Sequence, residues 1–119
     1  PCALGATLNP ETIPQLKCAI VAGSANNQLL EEERDAEALQ ERGILYAPDF
    51  LVNAGGIINV SMELETYNYE RAKALTERIY DRTLENFAIA AEQKITTHQA
   101  ALQMAQRRID ALGHNLLYR

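Results

Sequence analysis

Two asparagines and the small residues around them are the part of this sequence best suited to chemistry. Asn26 lies within Gly23-Ser24-Ala25-Asn26-Asn27, and Asn53 opens Asn53-Ala54-Gly55-Gly56. An uncharged carboxamide side chain carries two donors and an acceptor oxygen, so it matches another carboxamide, or the ammonium and carboxylate of an amino acid. The small neighbours let a ligand approach the backbone. Asparagine is also a common polar cap and turn former, and spacing alone leaves capping and ligand contact both open for each of the two.

Other chemistries find less support. Cys2 and Cys18 form no CxxC pair, and with His98 and His114 they make no cluster of metal-ligand spacing. No histidine or basic residue stands near Cys2 to activate it, so it reads as a packed small side chain, and two lone thiols suit a reducing, cytoplasmic setting. His98 at the start of a helix and His114 past the end of one are expected to be exposed. Glu31-Glu32-Glu33 points round a helix rather than converging on a cation. Lys17, Lys73 and Lys94 read as solvated surface residues. Tyr67, Tyr69 and Tyr80 fit an interface or simple amphipathic cover, and both stay open. No catalytic residue and no metal ligand is assigned within the chain.

The elements that must position the asparagines follow from period and punctuation. Pro1 to Pro14 reads as a loop with one helical turn. Lys17-Cys18-Ala19-Ile20-Val21-Ala22, closed by Gly23, reads as a short buried parallel strand. From Asn27 to Arg42 a helix with a large charged face is expected, with Gly43 as its stop. Ile44-Leu45-Tyr46 is a second strand, close enough to the first for a βαβ crossover of about 30 residues. Ligands in open α/β sheets lie outside the carboxyl ends of the strands, which here lead into Gly23–Asn27 and into Ala47-Pro48-Asp49 followed by Asn53–Gly56. The glycine pair favours a helix N-terminus at 57–64 over a strand. Ala72, Leu75, Ile79, Leu84, Phe87, Ala88 and Ala91 recur at helical steps between Asn68 and Gln93. A last helix is expected after an N-cap at Thr96 or Thr97, carrying Ala100, Ala101, Met104, Ala105, Ile109 and Leu112 on one stripe and ending near Gly113.

Composition bounds the rest. The 119 residues are 47% hydrophobic, 23% charged and 6% aromatic, which fits one folded domain at most. Sixteen acidic against eleven basic residues give a net charge of −5, leaving no basic surplus for a nucleic-acid backbone. The least polar stretch, 43–60, is interrupted by Asp49, Asn53 and Asn59 and falls short of the apolar run of about 20 residues that spans a bilayer. Residue 1 is proline with no leader before it, and the chain is expected to be a piece of a longer one.

Three blocks carry a resemblance. Pro1-Cys2-Ala3-Leu4-Gly5-Ala6, Ala22-Gly23-Ser24-Ala25-Asn26-Asn27-Gln28-Leu29 and the run from Gly43-Ile44-Leu45-Tyr46-Ala47-Pro48-Asp49 through Asn53-Ala54-Gly55-Gly56 to Val60 resemble consecutive blocks of the Glu/Leu/Phe/Val amino-acid dehydrogenase family. The likeness is greatest to its leucine and phenylalanine branch and covers essentially the whole chain. It implies a helix-rich α/β fold: residues 1–66 as the end of a Rossmann-like NAD-binding domain with about two parallel strands, and 67–119 as closing C-terminal helices. The implied reaction is oxidative deamination of an L-amino acid to the 2-oxo acid and ammonia, with NAD taking the hydride. By the same resemblance Pro1, Cys2 and Ala3 lie along the nicotinamide and its ribose, Asn26 lies near the nicotinamide and the substrate amino group, Asn53 shares that cleft, and Ile57 and Val60 line the side-chain pocket. The glutamate branch usually has a hydroxyl where this chain has Val60. A valine there would leave a distal carboxylate unpaired, so an aliphatic amino acid such as leucine is expected.

The reaction also needs parts that this sequence lacks. None of its six glycines forms the GxG of a pyrophosphate-binding turn. The lysine and acid that move protons at the amine carbon come, in such enzymes, from an N-terminal catalytic domain. The 119 residues alone are therefore expected to be catalytically silent. The alternative is a non-catalytic helical interaction module derived from such an enzyme. Both readings expect a homo-oligomer or self-association, because half a Rossmann sheet leaves an edge and helix faces uncovered.

Overall fold

The computed structural model describes residues 1–64 and 66–116 and has the expected helix-rich α/β architecture. Strands β1 (Ile20–Val21) and β2 (Leu45–Tyr46) pair in parallel, Ile20 opposite Leu45 and Val21 opposite Tyr46, and helix α1 (Glu32–Glu41) makes the crossover between them. Helices α2 (Asp49–Val52) and α3 (Gly55–Ser61) follow, then one 3₁₀ turn at Met62–Leu64, the long α4 (Tyr69–Gln93) and α5 (Thr97–Leu116). The single early helical turn is a 3₁₀ turn at Ile13–Gln15.

The core lies under the strands. Leu8, Ile13, Val21, Leu29, Leu39 and Ile44 form one buried cluster, and Leu39 on α1 is wholly enclosed. Arg42, at the end of α1, donates through its two terminal nitrogens to the Ile13 and Leu16 carbonyls at 2.7 and 2.9 Å, tying the crossover helix to the first loop. Gly43 then turns the chain at φ +67°, a conformation costly for residues with a Cβ, and delivers it into β2.

Several expectations are corrected. The first strand is two residues long rather than six, and Ile20 is 60% exposed while its neighbour Val21 is buried, since successive side chains of a strand point to opposite faces. The crossover helix starts at Glu32, not Asn27. Asn27 takes a left-handed φ of 52°, and Leu29 lies in an isolated parallel bridge with Leu8 that brings it into the core, so no helix forms over 27–30. Asp35 then sets the new start by accepting the Glu31 N–H at 2.7 Å. Asp49–Val52, to which no element was assigned, forms a short helix.

At the other end, Asn68 caps α4 by accepting from the Arg71 N–H at 2.9 Å. Thr96 caps α5 through a reciprocal pair: its hydroxyl accepts from Gln99 N at 3.1 Å while Gln99 Oε1 accepts from Thr96 N at 3.2 Å. The helix runs through Gly113 to Leu116 instead of stopping, a tolerable cost of about 1 kcal/mol for one interior glycine. Its apolar stripe is buried only at the start. Ala100 and Ala101 are enclosed, whereas Ile109 and Leu112 are open.

Candidate functional site

The loops leaving β1 and β2 meet at one edge of the pair, and three backbone-directed side chains lock them together. Asp49, at the start of α2, accepts the Gln28 N–H at 2.8 Å on one oxygen and the Phe50 N–H at 2.6 Å on the other. Gln28 is fully enclosed and donates its side-chain amide to the Gly23 and Ala25 carbonyls, both at 2.9 Å. Asn53, at the end of α2, donates to the Ser24 carbonyl at 3.2 Å and to Asn26 Oδ1 at 2.5 Å. The loop bearing Asn26 is thus gripped along its length by the segment from Asp49 to Asn53.

The first loop closes over the same edge. Ala25 N–H donates to the Pro1 carbonyl at 3.2 Å and Ala6 N–H to the Asn27 carbonyl at 2.7 Å. Gly23 is required there, since a Cβ on it would lie 1.9 Å from the Pro1 carbonyl oxygen. Pro1, Cys2 and Ala3 are exposed beside this contact. Cys2 is a correction: its thiol is open rather than packed, and hydrogen bonds from the Ser24 N–H and hydroxyl hold it below the usual thiol range.

Asn26 and Asn53 are therefore brought into direct contact, and Pro1 reaches the loop that carries Asn26. Ile57 and Val60 are 68% and 55% exposed, three residues apart and so on one side of α3, next along the chain from Asn53. Lys17, Lys73 and Lys94 are exposed as expected.

A cavity of about 230 Å³ opens beside Asn26, lined by Asn26, Glu32, Tyr46, Asp49, Phe50 and His98 among others. His98 corrects a second expectation, being only 4% exposed: α5 docks its first turn on β2 through the Thr97 hydroxyl, which donates to the Tyr46 carbonyl at 2.6 Å. The imidazole meets the Phe50 ring edge-on at 5.6 Å between centroids. Glu32 Oε2 lies 3.3 Å from Nε2, but not in line for a hydrogen bond. His114 falls outside the described side chains. Burial and then the Asp49 charge raise the Tyr46 hydroxyl above its ordinary range, so it stays protonated. No group of His, Cys, Asp and Glu capable of holding a metal ion occurs among the described residues.

Gln28, Asp49 and His98 were not singled out in the sequence as parts of this site. Asp49 carried the one usable signal, an acid after Pro48 at a helix start. Gln28 and His98 carried none.

The geometry agrees with known proteins. The model of the family described as glutamate/leucine/phenylalanine/valine dehydrogenase matches residues 1–114. Leucine dehydrogenase of Thermoactinomyces intermedius is 55% identical over 94% of this chain and 30% of its own length. Phenylalanine dehydrogenase of Bacillus thermotolerans is 53% identical over 95% of the chain and 29% of its own length. The crystal structure of L-tryptophan dehydrogenase from Nostoc punctiforme superposes with a TM-score of 0.90 at 49% identity, covering 93% of this chain and 34% of that one. The chain spans about a third of the length of these relatives. It belongs to the glutamate/leucine/phenylalanine/valine dehydrogenase family.

Proposed function

We propose that these residues form the C-terminal portion of an NAD-dependent amino-acid dehydrogenase that converts an L-amino acid with an apolar side chain, leucine or a similar branched one, to the 2-oxo acid and ammonia. The observation that carries this reading is the Asn26–Asn53 contact at the carboxyl ends of two parallel strands, in a chain about half identical to leucine, phenylalanine and tryptophan dehydrogenases. Residues 1–66 are assigned to the end of the cofactor domain and 67–119 to the closing helices. Two exposed free cysteines suit a cytoplasmic enzyme. Among the described residues no helix is long and apolar enough to cross a membrane.

The nicotinamide end of NAD fits the residues present. The Gly23 backbone has no side chain to obstruct the Pro1–Ala3 segment, and Asn26 leaves its amide nitrogen without a hydrogen bond among the described residues, open to solvent beside that segment. Pro1, Cys2 and Ala3 would bound the ring and ribose, and Asn26 would donate to a carbonyl or carboxylate oxygen. When bound, NAD supplies the hydride acceptor. The chain's own residues orient and select: Asn26, held by Asn53, fixes a polar group, and Ile57 and Val60 offer an apolar wall that cannot solvate a distal charge.

Purified 119-residue protein with NAD and leucine, valine or phenylalanine is expected to give no turnover, because neither a pyrophosphate-binding turn nor a proton-transferring lysine with its acid is present. The full-length enzyme is expected to turn over apolar amino acids and to lose most activity on Asn26→Ala. A preference for glutamate would overturn the role given to Ile57 and Val60.

A further inference from the structure

The hydrogen bonds of Asn53 decide the orientation of Asn26. A side-chain amide can be turned either way round, with oxygen and nitrogen exchanged, so the direction must come from partners that accept only or donate only. The Ser24 carbonyl is such a partner. It accepts and cannot donate, so the Asn53 atom 3.2 Å from it must be Nδ2. The same nitrogen lies 2.5 Å from the Asn26 amide, and a donor there requires Asn26 to present Oδ1 inward. The Asn26 Nδ2 group is then left outward, exposed and without a hydrogen bond among the described residues.

We propose that Asn53 is a positioning residue: anchored on the Ser24 carbonyl, it fixes the Asn26 amide so that its N–H donors point outward to a ligand. The group that the outward Nδ2 meets is therefore an acceptor, a carboxylate or carboxamide oxygen. Donation into Asn26 Oδ1 also polarises that amide and strengthens its outward N–H groups as donors. Both donors of Asn53 are used in this clasp, so it has no N–H left to offer a ligand directly. The ligand's identity, an amino-acid carboxylate or the nicotinamide carboxamide, rests on the dehydrogenase reading above; the direction of the amides does not.

Two experiments test this separately. In the 119-residue chain, side-chain amide exchange followed by NMR is expected to be slow at Asn53 and fast at Asn26. Equal exchange, or protection of Asn26 in place of Asn53, would overturn the assignment with no ligand involved. In the full-length dehydrogenase, Asn53→Asp would place a carboxylate against the Ser24 carbonyl and turn Asn26 round, and it is expected to raise one KM about tenfold or more while leaving the thermal midpoint close to that of the parent. A rise in the amino-acid KM assigns the acceptor to the carboxylate, and a rise in the NAD KM assigns it to the carboxamide. With neither raised, the positioning role fails. Asn53→Ala added to Asn26→Ala is expected to cost nothing further, whereas penalties that multiply would show Asn53 acting independently of Asn26. A full-length protein with no turnover would overturn the dehydrogenase reading and leave the exchange experiment to decide the orientation.

Discussion

Asp49 takes two backbone N–H groups on its two oxygens, and one of these, from Gln28, is buried. Removing the carboxylate leaves that donor unpaired away from water, so Asp49→Ala is expected to destabilise the chain by about 1–3 kcal/mol, measured by urea unfolding. The same variant in the full-length enzyme should weaken ligand binding as well, because Gln28 and the loop it holds carry Asn26. An unchanged midpoint would mean that Asp49 does not hold the loop. At this scale the sequence was legible where a residue type has few uses. Asn26 and Asn53 stood out because uncharged amides flanked by small residues suit a ligand edge, and the structure puts them in contact. His98 was misread because its burial depends on where α5 docks, which is fixed by Thr97 bonding Tyr46 fifty-one positions earlier and by Phe50 meeting the ring. Neither contact has a local signature. Gln28 was invisible for the same reason, since both carbonyls it serves belong to a loop whose path the sequence does not state.

Caps and stops set the helices that carry these residues, and two of them give direct tests. Burial would raise the Asp35 carboxyl, but hydrogen bonds from Arg34 and the Glu31 N–H outweigh it and hold Asp35 below the ordinary carboxylate range. A carboxyl depressed in the folded state adds stability that is full above its unfolded value, about pH 4, and is lost as pH falls through the lower folded value. The parent is therefore expected to exceed Asp35→Asn in stability at neutral pH, with the gap closing below about pH 4 in acid titrations of the unfolding midpoint. A gap independent of pH would contradict this. Lys94 ends α4 in the left-handed region at φ 55°, where a Cβ is penalised. Lys94→Gly is expected to stabilise the chain by up to about 1 kcal/mol, read as a raised thermal midpoint. Helix interiors were legible from period, and so were the ends at Gly43, Asn68 and Thr96, where local chemistry decides. The start of α1 and the far end of α5 were not. Leu29 is drawn into a bridge with Leu8 that overrides helical propensity, and Gly113 sits in a helix whose length outweighs one poor residue.

Taken whole, the chain is elongated. Its radius of gyration is 15.9 Å, with extents of 49 × 30 × 21 Å, against about 13–14 Å for a compact domain of this length. Ile20, Tyr80, Ile109 and Leu112 are more than half exposed, on β1, α4 and α5, so apolar surface is spread over several elements. Self-association is expected for the isolated chain, and a monomer in light scattering across a wide concentration range would contradict it. The overall α/β order, with a parallel pair and two closing helices, was legible because a βαβ unit and two long amphipathic periods need no knowledge of distant contacts. The central claim is that this chain completes an amino-acid dehydrogenase without being one alone. It is tested most directly by replacing the matching segment of the Thermoactinomyces intermedius leucine dehydrogenase with these 119 residues and following leucine-dependent reduction of NAD. Turnover is expected in the folded chimera, with its loss on Asn26→Ala, and none from the 119 residues by themselves. A folded but inactive chimera, or turnover by the isolated chain, would contradict it.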